Sequence, residues 1–197
     1  MAPLLIGLTG GIAAGKSEAL AAFGRLGAAT ISADAVVHDL LGSDAIRERL
    51  VEHWGDDVAP TGEVDRARVG ELVFERPDEL AWLEAELHPR VGRQLEAWRR
   101  GLDSGIELAV VEVPLLFEAG MGDAFDATVA VVAGDELRRG RSEARGGTLF
   151  DERSARQLTQ DEKAAQADYV IRNDGSLEDL ERELSDLGAK LARPVES

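Results

Sequence analysis

Leu4-Leu5-Ile6-Gly7-Leu8-Thr9-Gly10-Gly11-Ile12-Ala13-Ala14-Gly15-Lys16-Ser17 is an apolar run that enters a glycine turn. Its Gly10-x-x-x-x-Gly15-Lys16-Ser17 part has the full spacing of a phosphate-binding loop. That spacing has a mechanical purpose. Glycines let the backbone curl, so that the N–H groups from Gly10, Gly11, Ile12, Ala13, Ala14 and Gly15 onward turn inward toward phosphate oxygens. Lys16 then reaches the outer phosphates, the Ser17 hydroxyl is placed for Mg²⁺, and the following helix, from Ser17 and Glu18, turns its positive end to the anion. An apolar strand before the loop and an amphipathic segment after it set this match apart from a plain glycine turn.

Outward from the loop, four apolar runs read as buried parallel strands: Leu4 to Leu8, Ala28 to Ile31, Leu108 to Val113 and Thr128 to Val132, with a weaker fifth at Tyr169 to Ile171. Helical periods lie between them, at Ser17 to Leu26, Ala45 to Trp54 and Arg66 to Phe74. The alternation predicts an α/β fold, a doubly wound parallel five-stranded sheet with helices on both faces. Between Asp34 and Gly105 the interval is too long for a simple crossover. Leu80, Leu83, Leu87, Val91, Leu95, Trp98 and Leu102 give it one continuous apolar stripe, which reads as packing. Pro89 interrupts that stripe, so a kink or break is expected near His88. Pro60-Thr61-Gly62 marks a turn in the front half, and the whole reads as a helical substrate-binding insertion. A second insertion from Gly134 to about Ala167 gathers Arg138, Arg139, Arg141, Arg145, Arg153 and Arg156 around Gly146-Gly147. Such a charge run is either a solvated face or a helical lid closing over a phosphate ligand. Ser176 to Leu191 reads as a final amphipathic helix.

The formal net charge is −16, which disfavours nucleic acid and anionic membranes as partners and demands local cations wherever a triphosphate binds. Lys16, Lys163 and Lys190 are the only lysines, and base composition accounts for most of that bias toward arginine. Cysteine is absent, so disulfides and thiolate metal sites are excluded. The run before Gly10 is too short to span a bilayer, and the reading is a soluble cytoplasmic protein. The histidines His38, His53 and His88 have no metal-ligand spacing, and His53 reads as a surface residue.

Phosphoryl transfer requires positioning, charge neutralisation and an oriented nucleophile. The second strand ends at Ile31-Ser32-Ala33-Asp34, where open sheets place ligands. Asp34 there is either a general base for an attacking alcohol or a helix N-cap. Glu112, ending the third strand, is either a holder of magnesium-bound water or a solvated strand-end carboxylate. Glu118 orients substrate or an arginine, or is a surface charge. His88 contacts substrate or satisfies backbone freed by Pro89.

With these pieces the chain resembles the bacterial dephospho-coenzyme A kinases, which catalyse the last step of coenzyme A synthesis. The matching stretches are Leu8 to Ser17, Ala33-Asp34, Leu87-His88-Pro89, Val113-Pro114-Leu115-Leu116-Phe117-Glu118 and Ala167 to Gly175, in the family's order. The resemblance implies ATP-dependent phosphorylation of the ribose 3′-hydroxyl of dephospho-CoA, with Mg²⁺, on a P-loop kinase-like fold. It implies a nucleotide core of residues 1–33, 105–133 and 168–197, a helical CoA-binding domain of residues 34–104, and a lid of residues 134–167. It implies Asp34 and Lys16 as the catalytic pair and Ser17 and Glu112 as the metal-binding pair. Arg139, Arg141 and Arg145 would meet the triphosphate and Asn173 would approach the adenine. Asp34, His38, His88, Pro114, Leu116 and Glu118 would meet the substrate. A monomer or weak homo-oligomer is expected.

Three positions depart from the family pattern: Ser32 stands where an aspartate is usual, His38 where an arginine is usual, and Glu18 where a threonine is usual. Rival readings are a kinase of another nucleotide-like metabolite, a catalytically weakened ATP-binding relative, and a GTPase-like switch. The last would need Asn-Lys-x-Asp and Asp-x-x-Gly stretches, and neither occurs in the expected places.

Overall fold

The apolar runs become five parallel strands in the order β2-β3-β1-β4-β5: β1 (Leu4–Gly10), β2 (Ala29–Ser32), β3 (Leu108–Glu112), β4 (Ala127–Val132) and β5 (Tyr169–Arg172). This computed structural model describes residues 2–74, 76–144 and 157–191. They fall into two units, one from Met1–Ser32 and Leu102–Ser197, the other from Ala33–Gly101.

In the first unit β1 is the central strand. Its alternation sends Ile6 and Leu8 into a core shared with Val129, Val131, Phe23 of α1 (Lys16–Arg25) and Leu180, Leu184 and Leu187 of the C-terminal helix. The opposite positions, Gly7 and Thr9, face the segment after β3. A Cβ on Gly7 would come within 2.6 Å of the Leu116 side chain, and Thr9 Oγ1 donates to the Pro114 carbonyl at 3.3 Å. Between β4 and β5 lie α6 (Asp135–Ala144) and α7 (Gln160–Gln166). α7 starts at a capping box in which Thr159 and Glu162 exchange hydrogen bonds with each other's backbone N–H. The chain ends in α8 (Leu177–Leu191), close to the helix expected from Ser176.

The second unit is helical: α2 (Ala33–Leu41), α3 (Asp44–Trp54), α4 (Arg66–Phe74) and α5 (Pro77–Arg100). Ile46, Leu50, Val58, Val69, Leu83 and Leu87 form its core. α4 is started by Asp65, whose carboxylate accepts from the N–H groups of Ala67 and Arg68. The turn at Pro60-Thr61-Gly62 closes with the Gly62 N–H on the Ala59 carbonyl, 3.1 Å. His53 is exposed, yet it stacks on Trp82 with ring centres 3.7 Å apart, and its Nε2 and Trp54 Nε1 both meet Glu79 at 2.8 Å.

The break expected near His88 is absent: α5 runs unbroken through Pro89. Proline removes one N–H and crowds the carbonyls of the preceding turn. The N–H lost at Pro89 is the one that would meet the Ala85 carbonyl; the next residue, Arg90, folds its side chain back onto the Glu86 carbonyl at 2.5 Å and carboxylate at 2.9 Å. Glu86 is also bridged by Arg49 of α3 at 2.9 Å, which holds its carboxyl below its ordinary value.

At the start of α8 the Asp179 carboxylate accepts from the Ser176 N–H at 3.0 Å and hydroxyl at 2.8 Å. These bonds, with Arg182, lower its pKa from 3.8 to about 2. The stabilisation from this ionised cap is complete above the unfolded value of 3.8 and is lost as pH falls through about 2. Asp179→Asn should therefore lower the urea midpoint at neutral pH, and the gap to the parent should narrow on acidification below 3.8. A gap that stays constant with pH would show that the charge of Asp179 plays no part in capping.

Candidate active site

β1 delivers its glycines to a turn that only glycine tolerates at two places. Gly10 has φ +151°, and a Cβ there would lie 2.2 Å from the Val131 carbonyl oxygen on β4. Gly15 has φ +100°, and a Cβ there would lie 2.1 Å from Asn173 Nδ2. Between them Ala13 is held at φ 58°, in the left-handed region, and the Ala14 N–H closes the turn on the Gly11 carbonyl at 3.2 Å. Gly15 sits at the N-cap of α1 with no side-chain capping bond, and the positive end of that helix faces the loop, a setting that suits an anion. Lys16 bends over the loop, donating to the carbonyls of Gly10 at 3.2 Å and Gly11 at 3.1 Å. This cradle suits a polyphosphate: its curl exists to bring backbone donors together.

Three side chains from later in the chain hold the loop from outside. Asn173, nearly buried at the end of β5, donates from Nδ2 to the Ala14 carbonyl at 2.8 Å, while its own N–H reaches the Val132 carbonyl at 2.8 Å. Arg141 donates to the carbonyls of Ala14 at 3.5 Å and Asn173 at 3.1 Å. Arg138, one turn earlier on the same face of α6, meets the Ile12 carbonyl at 3.5 Å and Asp135 at 2.6 Å. Hydrogen bonding and attraction from Arg138 hold the Asp135 carboxyl below its ordinary value. The Gln160 Cβ and Arg138 Nη1 flank Gly11, where an added Cβ would come within 3.2 and 3.0 Å of them. Beside them is a cavity of about 240 Å³ lined by Gly11, Ile12, Arg138, Thr159 and Gln160 among others.

Glu112 ends β3 opposite Leu8 of β1 and Ser32 of β2, and it is buried. Ser17 and Glu18 are in the first turn of α1. Ser17 is exposed and Glu18 pairs with Arg25 at 3.0 Å. No group of three or more His, Cys, Asp or Glu able to hold a metal occurs among the described residues. The hydroxyl and carboxylate of Ser17 and Glu112 are hard oxygen donors, the type that Mg²⁺ takes alongside phosphate oxygens.

The structure distributes the other candidates unevenly. Arg139 is exposed on α6 and makes no bond to the loop among the described residues; Arg138 occupies the place expected for it. Arg145 lies outside the described residues, as do Arg153 and Arg156. Leu116 is fully buried against the face of β1 that carries Gly7, and so presents no surface to a ligand. Pro114 is half-buried and its carbonyl is taken by Thr9 and Lys163; the Glu118 carboxylate is taken by Lys163 at 2.9 Å and the Leu158 N–H at 2.9 Å. In the helical unit Asp34 is the second residue of α2, exposed, and makes no side-chain hydrogen bond or ion pair among the described residues; it is not the N-cap. His38, one turn on, contacts Arg66, and His88 is exposed on α5. Sequence reasoning gave Gln160 and Lys163 no role and placed Arg138 only among the arginines of the second insertion. The i, i+3 spacing of Arg138 and Arg141 and the scarcity of lysine were the available signals.

The dephospho-CoA kinase family model, described as "CoaE: Dephospho-CoA kinase", matches residues 4–179. A dephospho-CoA kinase of Streptomyces avermitilis is 40% identical over 197 residues, spanning 95% of this chain and 94% of the relative. One from Symbiobacterium thermophilum is 41% identical over 183 residues, spanning 88% of this chain and 75% of the relative. Among solved structures, the crystal structure of TT1252 from Thermus thermophilus superposes with a TM-score of 0.84 at 36% identity, covering 97% of this chain and 99% of that one.

Removing the Asn173 side chain deletes a nearly buried bond to the loop, a loss of about 1 kcal/mol. Asn173→Ala should therefore weaken nucleotide binding by roughly fivefold to tenfold in calorimetry. Undiminished affinity would show that the loop keeps its shape without this clamp.

Proposed function

The chain belongs to the dephospho-CoA kinase family, and on that premise we propose that it transfers the γ-phosphoryl group of ATP to the ribose 3′-hydroxyl of dephospho-CoA, releasing ADP and coenzyme A. The observation that carries this reading is the strained, backbone-lined cradle at Gly10–Gly15, with Lys16 bent over it and α1 uncapped behind it. A site of this kind grips a triphosphate tail through N–H groups and one mobile ammonium.

In this reading Lys16 exchanges its two carbonyl partners for phosphate oxygens and follows the transferring group. Arg138 and Arg141 lie against the loop and supply further positive charge, joined by Arg139 and Arg145 if the 134–167 segment closes as a lid. Ser17 and Glu112 would hold Mg²⁺, which supplies neutralisation of charge on the phosphates. Asp34 accepts the proton of the 3′-hydroxyl as its oxygen bonds to the γ-phosphorus and the bond to the ADP oxygen breaks. Its exposure and lack of partners keep it available for that proton. His38, His88 and Pro114 are the proposed acceptor contacts. No helix among the described residues is long and apolar enough to cross a membrane.

Incubation with ATP, Mg²⁺ and dephospho-CoA should give coenzyme A by mass detection, with nucleoside monophosphates run in parallel as competing acceptors. Exclusive phosphorylation of a monophosphate would overturn the choice of acceptor. Asp34→Asn should cut kcat about 10²–10⁴-fold with ATP affinity near that of the parent. Retention of most of the rate would remove Asp34 as base. Lys16→Ala should depress both ATP binding and turnover, and parental kinetics there would remove the phosphate-loop assignment.

A further inference from the structure

Lys163 is one of only three lysines in the chain and is wholly enclosed, its side chain showing 0% exposure. Its ammonium reaches the Pro114 carbonyl at 2.5 Å and the Glu118 carboxylate at 2.9 Å. Burying an ammonium is costly unless its protons are matched, so such a residue persists where its bonds hold something in place. Two chain segments meet at this point. Pro114 and Glu118 bracket the turn after β3, and the Pro114 carbonyl also accepts from Thr9, the residue before Gly10. α7, which carries Lys163, brings Gln160 against Gly11 and onto the Ala133 N–H at 3.2 Å. Glu118 further accepts from the Leu158 N–H, just ahead of that helix.

We infer that Lys163 is a positioning residue for phosphoryl transfer: its ammonium ties the 113–118 turn to α7 and to the base of the phosphate loop, with Glu118 as its counter-ion and not as a substrate ligand. The inference rests on the proposed reaction, because the 113–118 turn is where that reading puts an acceptor contact. Lys163 touches neither reactant; it sets the place of the Pro114 segment that does. The turn has its own internal bonds, from the N–H groups of Ala119, Gly120 and Met121 to the carbonyls of Leu115, Phe117 and Leu116. These bonds shape it locally; among the described residues, Lys163 is the side chain that joins both of its ends, Pro114 and Glu118, to a helix.

The test compares the full-length parent with Lys163→Met, Glu118→Gln and the double variant. Lys163→Met leaves Glu118 without its counter-ion and should lower the unfolding midpoint, which the double variant should recover in large part by removing both charges. Recovery of stability should not restore function. Both variants lacking the ammonium should show kcat/KM for dephospho-CoA reduced by about tenfold to 10²-fold, with the KM for ATP within about twofold of the parent. Faster amide exchange at residues 119–121 should accompany that loss and needs no substrate to be read. Parental acceptor kinetics in the stable double variant would overturn the inference, as would equal loss of ATP and acceptor binding that recovers along with stability. A parent protein that does not phosphorylate dephospho-CoA would sink the proposed reaction instead, leaving amide exchange to decide whether Lys163 orders the turn.

Discussion

The approach of β1 to β4 at Gly10 leaves no room for a side chain, and the loop that follows depends on that closeness. A strand feeding directly into a helix would carry its N–H groups away from one another. The left-handed turns at Ala13 and Gly15 and the extreme φ at Gly10 bend them back instead. Ala13 in that region costs on the order of 1 kcal/mol or more, and such strain persists only where its surroundings over-determine it. Here the surroundings are identifiable: Asn173 and Arg141 both hold the Ala14 carbonyl, next in the chain.

Backbone carbonyls hold the cations around the loop: Gly10 and Gly11 for Lys16, Ala14 and Asn173 for Arg141, Ile12 for Arg138 and Pro114 for Lys163. A carbonyl dipole fixes a cation in place without cancelling its charge. Lys163 and Arg138 are in addition paired with carboxylates, Glu118 and Asp135. In a chain of net charge −16, gathering cations against one loop raises the local potential that a polyanion meets.

Much of the fold was legible in advance because its signals are local. The five strands lie within about two residues of the apolar runs that announce them, since parallel strands buried on both faces read as continuous hydrophobic stretches. The insertion of four helices was readable from its length and period. Pro89 shows the limit of that logic: its local rule predicts a break, yet the burial of Leu83, Leu87 and Val91 along one face carries the helix through. Leu116 shows another. It sits in the motif that most strongly suggests the family, but the two-residue period of β1 turns Gly7 toward it and buries it.

The sequence by itself determined the phosphate loop, the parallel α/β architecture, the helical insertion and the acidic residue following β2, because each depends on spacing within one short segment. Only the tertiary structure decided that Arg138 and not Arg139 faces the loop, that Asn173 clamps its backbone, and that Glu118 neutralises Lys163. Those pairings join residues as far as 159 positions apart, as between Asn173 and Ala14. They are selected by the order in which strands assemble and by the helix face turned inward, neither of which any one segment encodes.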